Sequence, residues 1–110
     1  MKPTRFYSNK QERKVAKVVN GRQTANSGAT AFQKGDVVAD QWLIECKTKT
    51  SPSKSITIQK NWIDKNNEEM FAMGKHYSAI AFNFGDDVNH YIISEPLFKQ
   101  LVNYLKEEEK

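Results

Sequence analysis

The chain holds Asp36, Glu45 and Lys47 close together in the stretch KGDVVADQWLIECKTK, residues 34 to 49. Strand residues two apart share a face, so Leu43, Glu45 and Lys47 look one way while Ile44 and Cys46 look the other, into a core. If Asp40 and Gln41 form a two-residue hairpin turn, Ala39 pairs with Trp42 and Asp36 falls opposite Glu45. The turn lacks a glycine, so a bulge shifting the register by one is the competing pairing. In the first register two carboxylates and an ammonium share a patch of roughly 5–7 Å. Carboxylates that close repel, and a hard divalent cation is the natural way to keep both ionised. Lys47 adds a charge able to orient a water or to steady negative charge building on a phosphoryl oxygen. The plainer alternative is a cross-strand salt bridge of Lys47 with Asp36 or Glu45, common in half-exposed sheets.

The elements that must position these residues follow from pattern. Ser8 and Gln11 have the spacing of a capping box, which predicts a helix from about Asn9 to Asn20 with Gly21 as its stop. Val15, Ala16 and Val19 form its apolar face, and Glu12 lies on that face, where an unpaired carboxylate is costly. A first-turn glutamate complementing the helix dipole while reaching solvent is the ordinary explanation. A short strand fits around residues 22–25, then strands over Asp36–Ala39 and Trp42–Thr48. Ser51, Pro52 and Ser53 break the last of these. A second helix is expected from about Gln59 to Met73, with Trp62, Ile63, Asn66, Met70 and Met73 near one face and Gly74 at its end. Tyr77–Phe84 is apolar on both faces, as in a covered central strand. Gly85, Asp86 and Asp87 make a turn before a strand over His90–Ile93. Ser94 then caps a final helix with Leu97, Phe98, Leu101, Val102 and Leu105 inward. The order is that of an α/β sandwich with a mixed sheet.

At 110 residues the chain, 1–110, is expected to be one domain with a single core, which excludes a second catalytic domain. Hydrophobic residues at 38% and charged ones at 27% are those of a soluble globular protein rather than a disordered one. No apolar run approaches the ~18 residues of a membrane span, and the basic start MKPTRFYSNK leads into no apolar stretch, so neither membrane nor secretory signal is expected. The lone Cys46 excludes an intrachain disulfide and a cysteine-based zinc site, in keeping with a reducing, cytoplasmic location. The net charge of +4 is unevenly spread. Residues 1–22 hold Lys2, Arg5, Lys10, Arg13, Lys14, Lys17 and Arg22 against Glu12 alone, and residues 47–65 hold five lysines against Asp64. Residues 66–110 carry eight acids and four lysines. Basic charge therefore gathers in the half that holds the carboxylate pair and favours a polyanion such as nucleic acid.

The chain resembles the PD-(D/E)XK nuclease superfamily and, within it, the small archaeal and phage Holliday-junction resolvases. The residues that carry the resemblance are Glu12 on the first helix, Ser27-Gly28-Ala29, Gly35-Asp36-Val37, Leu43-Ile44-Glu45-Cys46-Lys47, and a helix opening near SITIQKNW; together they span about residues 8 to 84. Gly35 stands where the superfamily's naming proline would be. The resemblance implies a restriction-endonuclease-like core (αβββαβ), a central mixed β-sheet flanked by helices. It implies Mg²⁺, with Mn²⁺ as a substitute, held by Asp36, Glu45 and the Cys46 main-chain carbonyl. Glu12 would support that site or a second metal, Lys47 would be the catalytic lysine, and Ser27 would lie near the scissile phosphate. The reaction implied is phosphodiester hydrolysis leaving a 5′-phosphate and a 3′-hydroxyl, in host cytoplasm if the chain is phage-encoded. The partner implied is branched DNA, a four-way junction cut by a homodimer.

Arg13, Lys14, Lys17, Lys34, Lys49, Lys54 and Lys60 are candidate phosphate contacts. Gln59 starts the second helix, where related nucleases can touch DNA. Trp62 reads as a core residue, His76 and His90 as structural or surface residues, and Asp86 and Asp87 as turn residues. Two further readings stay open. One is another structure-selective or nicking nuclease with the same residues, and the other is a non-catalytic basic nucleic-acid-binding domain whose charged strand face is only a salt bridge.

Overall fold

Alternation along two paired strands decides the layering of this protein, a computed structural model that describes residues 2–24 and 36–109. The elements are α1 (Thr4–Val19), β1 (Arg22–Gln23), β2 (Asp36–Ala39), β3 (Trp42–Lys47), α2 (Lys60–Ala72), β4 (Tyr77–Phe82), β5 (His90–Ile92) and α3 (Glu95–Glu108). They build an α/β fold around a five-stranded sheet of order β1-β2-β3-β4-β5. β3 and β4 run parallel and every other pair is antiparallel, so the sheet is mixed. Val37, Ile44, Cys46, Ala79 and Ala81 form one buried face and pack with Val15 of α1. The opposite face carries Asp36, Leu43, Glu45 and Ile80 by the same alternation, and α2 covers it.

The hairpin forms in the register expected from a two-residue turn: Ala39 faces Trp42 and Asp36 faces Glu45. Asp40 supplies the positive φ, at 50°, that such a turn needs, a conformation aspartate tolerates better than most residues. The Gln41 carbonyl accepts from the main-chain N–H groups of His76 and Tyr77, which ties the turn to the start of β4.

Helix α1 starts earlier than the capping-box spacing predicts. Pro3 takes the N-cap position, and Ser8 sits inside the helix with its Oγ donating to the Arg5 carbonyl. The motif was overridden because nothing in Thr4–Tyr7 breaks a helix and proline is compatible with a helix start. At the other end Asn20 takes the left-handed conformation, and the Gly21 N–H donates to the Ala16 carbonyl at 2.8 Å. Gly21 is needed for a different reason from helix termination: a Cβ there would stand 2.5 Å from the Val38 carbonyl oxygen and 2.7 Å from the Ala39 Cβ. The chain thus passes directly over β2 as it leaves α1. Of the strand expected over residues 22–25, β1 keeps two residues, and Ala25 lies outside the described residues.

Ser94 caps α3 as expected, its Oγ accepting from the Leu97 N–H at 3.3 Å. The expected inward face is not covered. Only Leu97 is buried, while Phe98, Leu101 and Leu105 are 59%, 38% and 58% exposed. The reason is position, since α3 follows the edge strand β5 and, among the described residues, is the one element without a substantial packing partner.

Replacing Gly21 by alanine should destabilise the protein by about 1–3 kcal/mol, the usual cost of forcing an atom into a filled space. Denaturant unfolding checks this, and an unchanged midpoint would show that β2 and α1 separate without cost.

Candidate active site

Asp36 and Glu45 face each other across the β2–β3 pair, and Lys47 lies on the same face one alternation further along β3. The β2–β3 pairing begins at Asp36, so among the described residues Cys46 and Lys47 run beyond β2 and leave this end of the strand open. Gln11 of α1 holds that end in place. Its Nε2 donates to the Lys47 carbonyl at 2.8 Å and also contacts the Ala81 carbonyl and Asn89 Oδ1. Asn83, 3% exposed, continues the network by accepting from Thr48 Oγ1 and the Gly85 N–H and donating to Asn89. On the other face Asn66 of α2 donates to the Leu43 and Ala79 carbonyls.

Among the described residues, Glu45 and Trp62 meet the Lys47 ammonium. Its Nζ is 3.4 Å from Glu45 Oε1 and 4.7 Å from the centroid of the Trp62 ring. Trp62 is therefore half-buried beside the catalytic candidates, and its ring face stabilises the ammonium next to Glu45. A stripe of mixed aromatic and methionine residues gave no sign of this, because ring and ammonium come from elements far apart in sequence.

Asp36, in contrast, has no cation beside it among the described residues. It is 7% exposed, and burial pushes its carboxyl up, aided by the charge of Glu69 on α2, the charge of Glu45, a hydrogen bond shared with Glu69 and the more distant charge of Glu12, to about 8. Glu45 is also raised, first by burial, with the charge and hydrogen bond of Lys47 and the charge of Lys65 opposing and that of Glu69 adding. Its Oε2 is buried without a hydrogen-bond partner. Burial likewise raises Glu12, against a hydrogen bond from Gln23 and the charge of Arg5. Burial and then the charges of Glu12, Asp36 and Glu45 push the Cys46 thiol up, so the thiol stays protonated and serves as core.

The structure brings together Asp36, Glu45 and Lys47. Glu12 stays on the α1 side of the sheet, bonded through Oε1 to Gln23 Nε2 at 3.1 Å. Its charge also raises Asp36, while the Gln23 hydrogen bond gives the inward carboxylate of α1 a partner. Glu69 was missed by the sequence reading. The available signal was its spacing, seven residues after Trp62 and three after Asn66, which places it on the inward stripe of α2. Ser27 and Lys34, with Gly28, Ala29 and Gly35, lie outside the described residues. Among the basic candidates, Lys14 donates to the Asp87 carbonyl and Lys60 pairs with Asp64 at 2.9 Å. Arg13, Lys17 and Lys54 are exposed and Lys49 is half-buried. Gln59 is the exposed N-cap of α2.

A divalent cation suits two features of this site: Glu45 Oε2, which is buried with no hydrogen-bond partner among the described residues, and the buried Asp36 carboxyl, which has no cation beside it among them. Among the described residues no three His, Cys, Asp or Glu side chains form a ready-made metal-holding group. The side chains that could hold a cation at this end of the strand are Asp36 and Glu45, and main-chain oxygen and water could complete a set of the kind Mg²⁺ accepts. Compared with family models, curated proteins and solved structures, the chain finds no match.

The raised Asp36 carboxyl has a pH signature. Between an unfolded value near 3.8 and a folded value of about 8, the native state binds more protons than the unfolded one, so this group lowers stability as pH rises through that window. Metal-free Asp36→Asn should match wild type near the acid end and exceed it at the alkaline end by more than about 1 kcal/mol, the scale of a single pKa unit. Thermal unfolding of both proteins across that range reads the difference. A gap that does not grow with pH would show that Asp36 is not held protonated.

Proposed function

We propose that this chain is a metal-dependent endodeoxyribonuclease of the PD-(D/E)XK kind, and within that class a four-way-junction resolvase acting as a homodimer. The observation that carries the reading is the crowding of buried carboxyl groups on one strand face. Lys47 pairs with Glu45, and Asp36 remains buried against Glu45 and Glu69 with no cation beside it among the described residues. A salt-bridged sheet face accounts for Lys47 and Glu45 but leaves Asp36 unexplained. The element order, helix, three antiparallel strands, helix, parallel strand, agrees with the αβββαβ core that the resemblance implies.

In this reading Asp36 and Glu45 hold Mg²⁺ or Mn²⁺ with the Cys46 main-chain carbonyl. The bound cation supplies charge stabilisation at the scissile phosphate and a more acidic attacking water. Lys47, steered by Glu45 and the Trp62 ring, orients the nucleophile or meets charge developing on a phosphoryl oxygen. Gln11 keeps Lys47 in place through its main chain. Glu12 and Glu69 add negative potential that strengthens cation binding at Asp36. Arg13, Lys17, Lys49 and Lys54 are better placed to contact DNA phosphates than Lys14 and Lys60, whose ammonium groups already have partners within the fold. The location that follows is cytoplasmic. The described residues contain no helix long and apolar enough to cross a membrane.

The test compares four-way-junction, flap, nicked, duplex and single-stranded DNA with Mg²⁺ or Mn²⁺. Symmetric paired nicks confined to the junction are expected. Asp36→Ala, Glu45→Ala and Lys47→Ala should each lower cleavage by about a hundredfold or more while DNA binding persists. Cleavage surviving excess EDTA would remove the metal from the account. Cutting of flaps or duplex in preference to junctions would leave a nuclease but not a resolvase. Intact DNA under every condition, with no metal-linked rise in melting temperature, would favour a binding domain.

A further inference from the structure

We propose that the aromatic patch beside Lys47 is a stacking platform for a nucleobase of the DNA strand, next to the phosphate that the candidate active site receives. The sheet register places it. Lys47 pairs with Phe82 of β4, and Phe82 pairs with His90 of β5, so the three residues form one row across the sheet. Register partners share a face, and this row therefore continues the face that carries Asp36 and Glu45. Phe84, two residues beyond β4, joins the row with its ring centroid 5.7 Å from those of both Phe82 and His90, each met edge-on. His90 instead leans on Phe82, with centroids 5.4 Å apart and 31° between the planes. Phe82 and Phe84 are half-buried, while His90 is exposed on the edge strand of the described sheet.

Cations are fastened to the same place. The segment after β3 carries half-buried Lys49 and exposed Lys54, and the main chain ties it to the patch. The Ser53 N–H donates to the Phe84 carbonyl at 2.8 Å, and Thr48 Oγ1 and the Lys49 N–H donate to Oδ1 of Asn83, the residue between Phe82 and Phe84. Rings flanked by ammonium groups suit a single strand of nucleic acid, because its bases stack while its phosphates meet the cations. A purely apolar partner would use the rings and gain nothing from the lysines. The row also begins at Lys47 itself, and His90 stands two strand spacings away, roughly 10 Å. That is the span between a phosphate held at Lys47 and the base of an adjacent nucleotide. Stacking there requires a base that has left the duplex stack, so the platform selects DNA that is unpaired or opened beside the cut.

The ligand class rests on the nuclease function proposed above, and binding is therefore read without cleavage. Fluorescence anisotropy of the full chain in EDTA compares a labelled single-stranded oligonucleotide with one of equal length whose central nucleotides are abasic. The intact strand should bind about tenfold more tightly. His90→Ala should weaken binding of the intact strand by at least about threefold, the scale of one lost stacking contact, and leave the abasic strand unaffected. His90→Phe should restore the difference, and Lys49→Ala with Lys54→Ala should weaken both strands alike. Equal affinity of the wild-type chain for the two strands would overturn the proposal. So would no binding of the intact strand, or a loss in His90→Ala that is the same for both. Cleavage with Mg²⁺, measured in parallel, separates the two readings. Cutting without base-dependent binding would leave a nuclease and remove the platform, whereas base-dependent binding without cutting would keep the platform on a protein that is not a nuclease.

Discussion

The pairing of Asp36 with Glu45 is the constraint on which the rest of the site depends. A shift of one residue would send Asp36 to the opposite face, into the apolar core beneath α1, and would separate it from Glu45 and Lys47. The positive-φ turn at Asp40 and its attachment to the start of β4 hold the register from one end. Gln11 and the Asn83–Asn89 network hold the other end of β3. Gly21 lets α1 leave close over β2, which fixes the layer that carries Glu12.

The charges are arranged unequally around that pair. Glu45 receives Lys47, which in turn lies against the Trp62 ring, whereas Asp36 meets two carboxylates on its own face and a third across the sheet. Folding without metal therefore works against electrostatics at one residue, and protonation of Asp36 is the chain's own way of reducing the repulsion. A cation would do the same while leaving both carboxylates ionised, which links binding at this site to proton release. The result is a stability cost at a position where stability alone gives no reason for an acid.

Much of this arrangement is readable from sequence. The two-residue spacing between Ala39 and Trp42 sets the register, and alternation in Leu43–Lys47 separates the core face from the charged one. What escapes has identifiable causes. Glu69 and Trp62 act on β3 from α2, and no local pattern shows which inward residue of a helix will meet which strand residue. Gln11 and Asn83 are buried through a network that includes half-buried Asn89, and polar residues signal burial only once their partners are known. The Ser8 capping box has the right spacing but lies inside a helix that Pro3 starts earlier. The stripe of α3 is correctly seen as apolar, yet its burial was assigned within the chain, because periodicity identifies a face and says nothing about what covers it.

The central claim is that the buried, repelled Asp36 carboxyl is a cation ligand. Calorimetric titration of Mg²⁺ or Mn²⁺ at neutral pH in buffers of differing ionisation enthalpy tests it most directly. The account predicts binding that releases about one proton, because a carboxyl with a folded value of about 8 must ionise to take up the metal, and loss of that release in Asp36→Asn. No binding, or binding with the same proton count in Asp36→Asn, would contradict it.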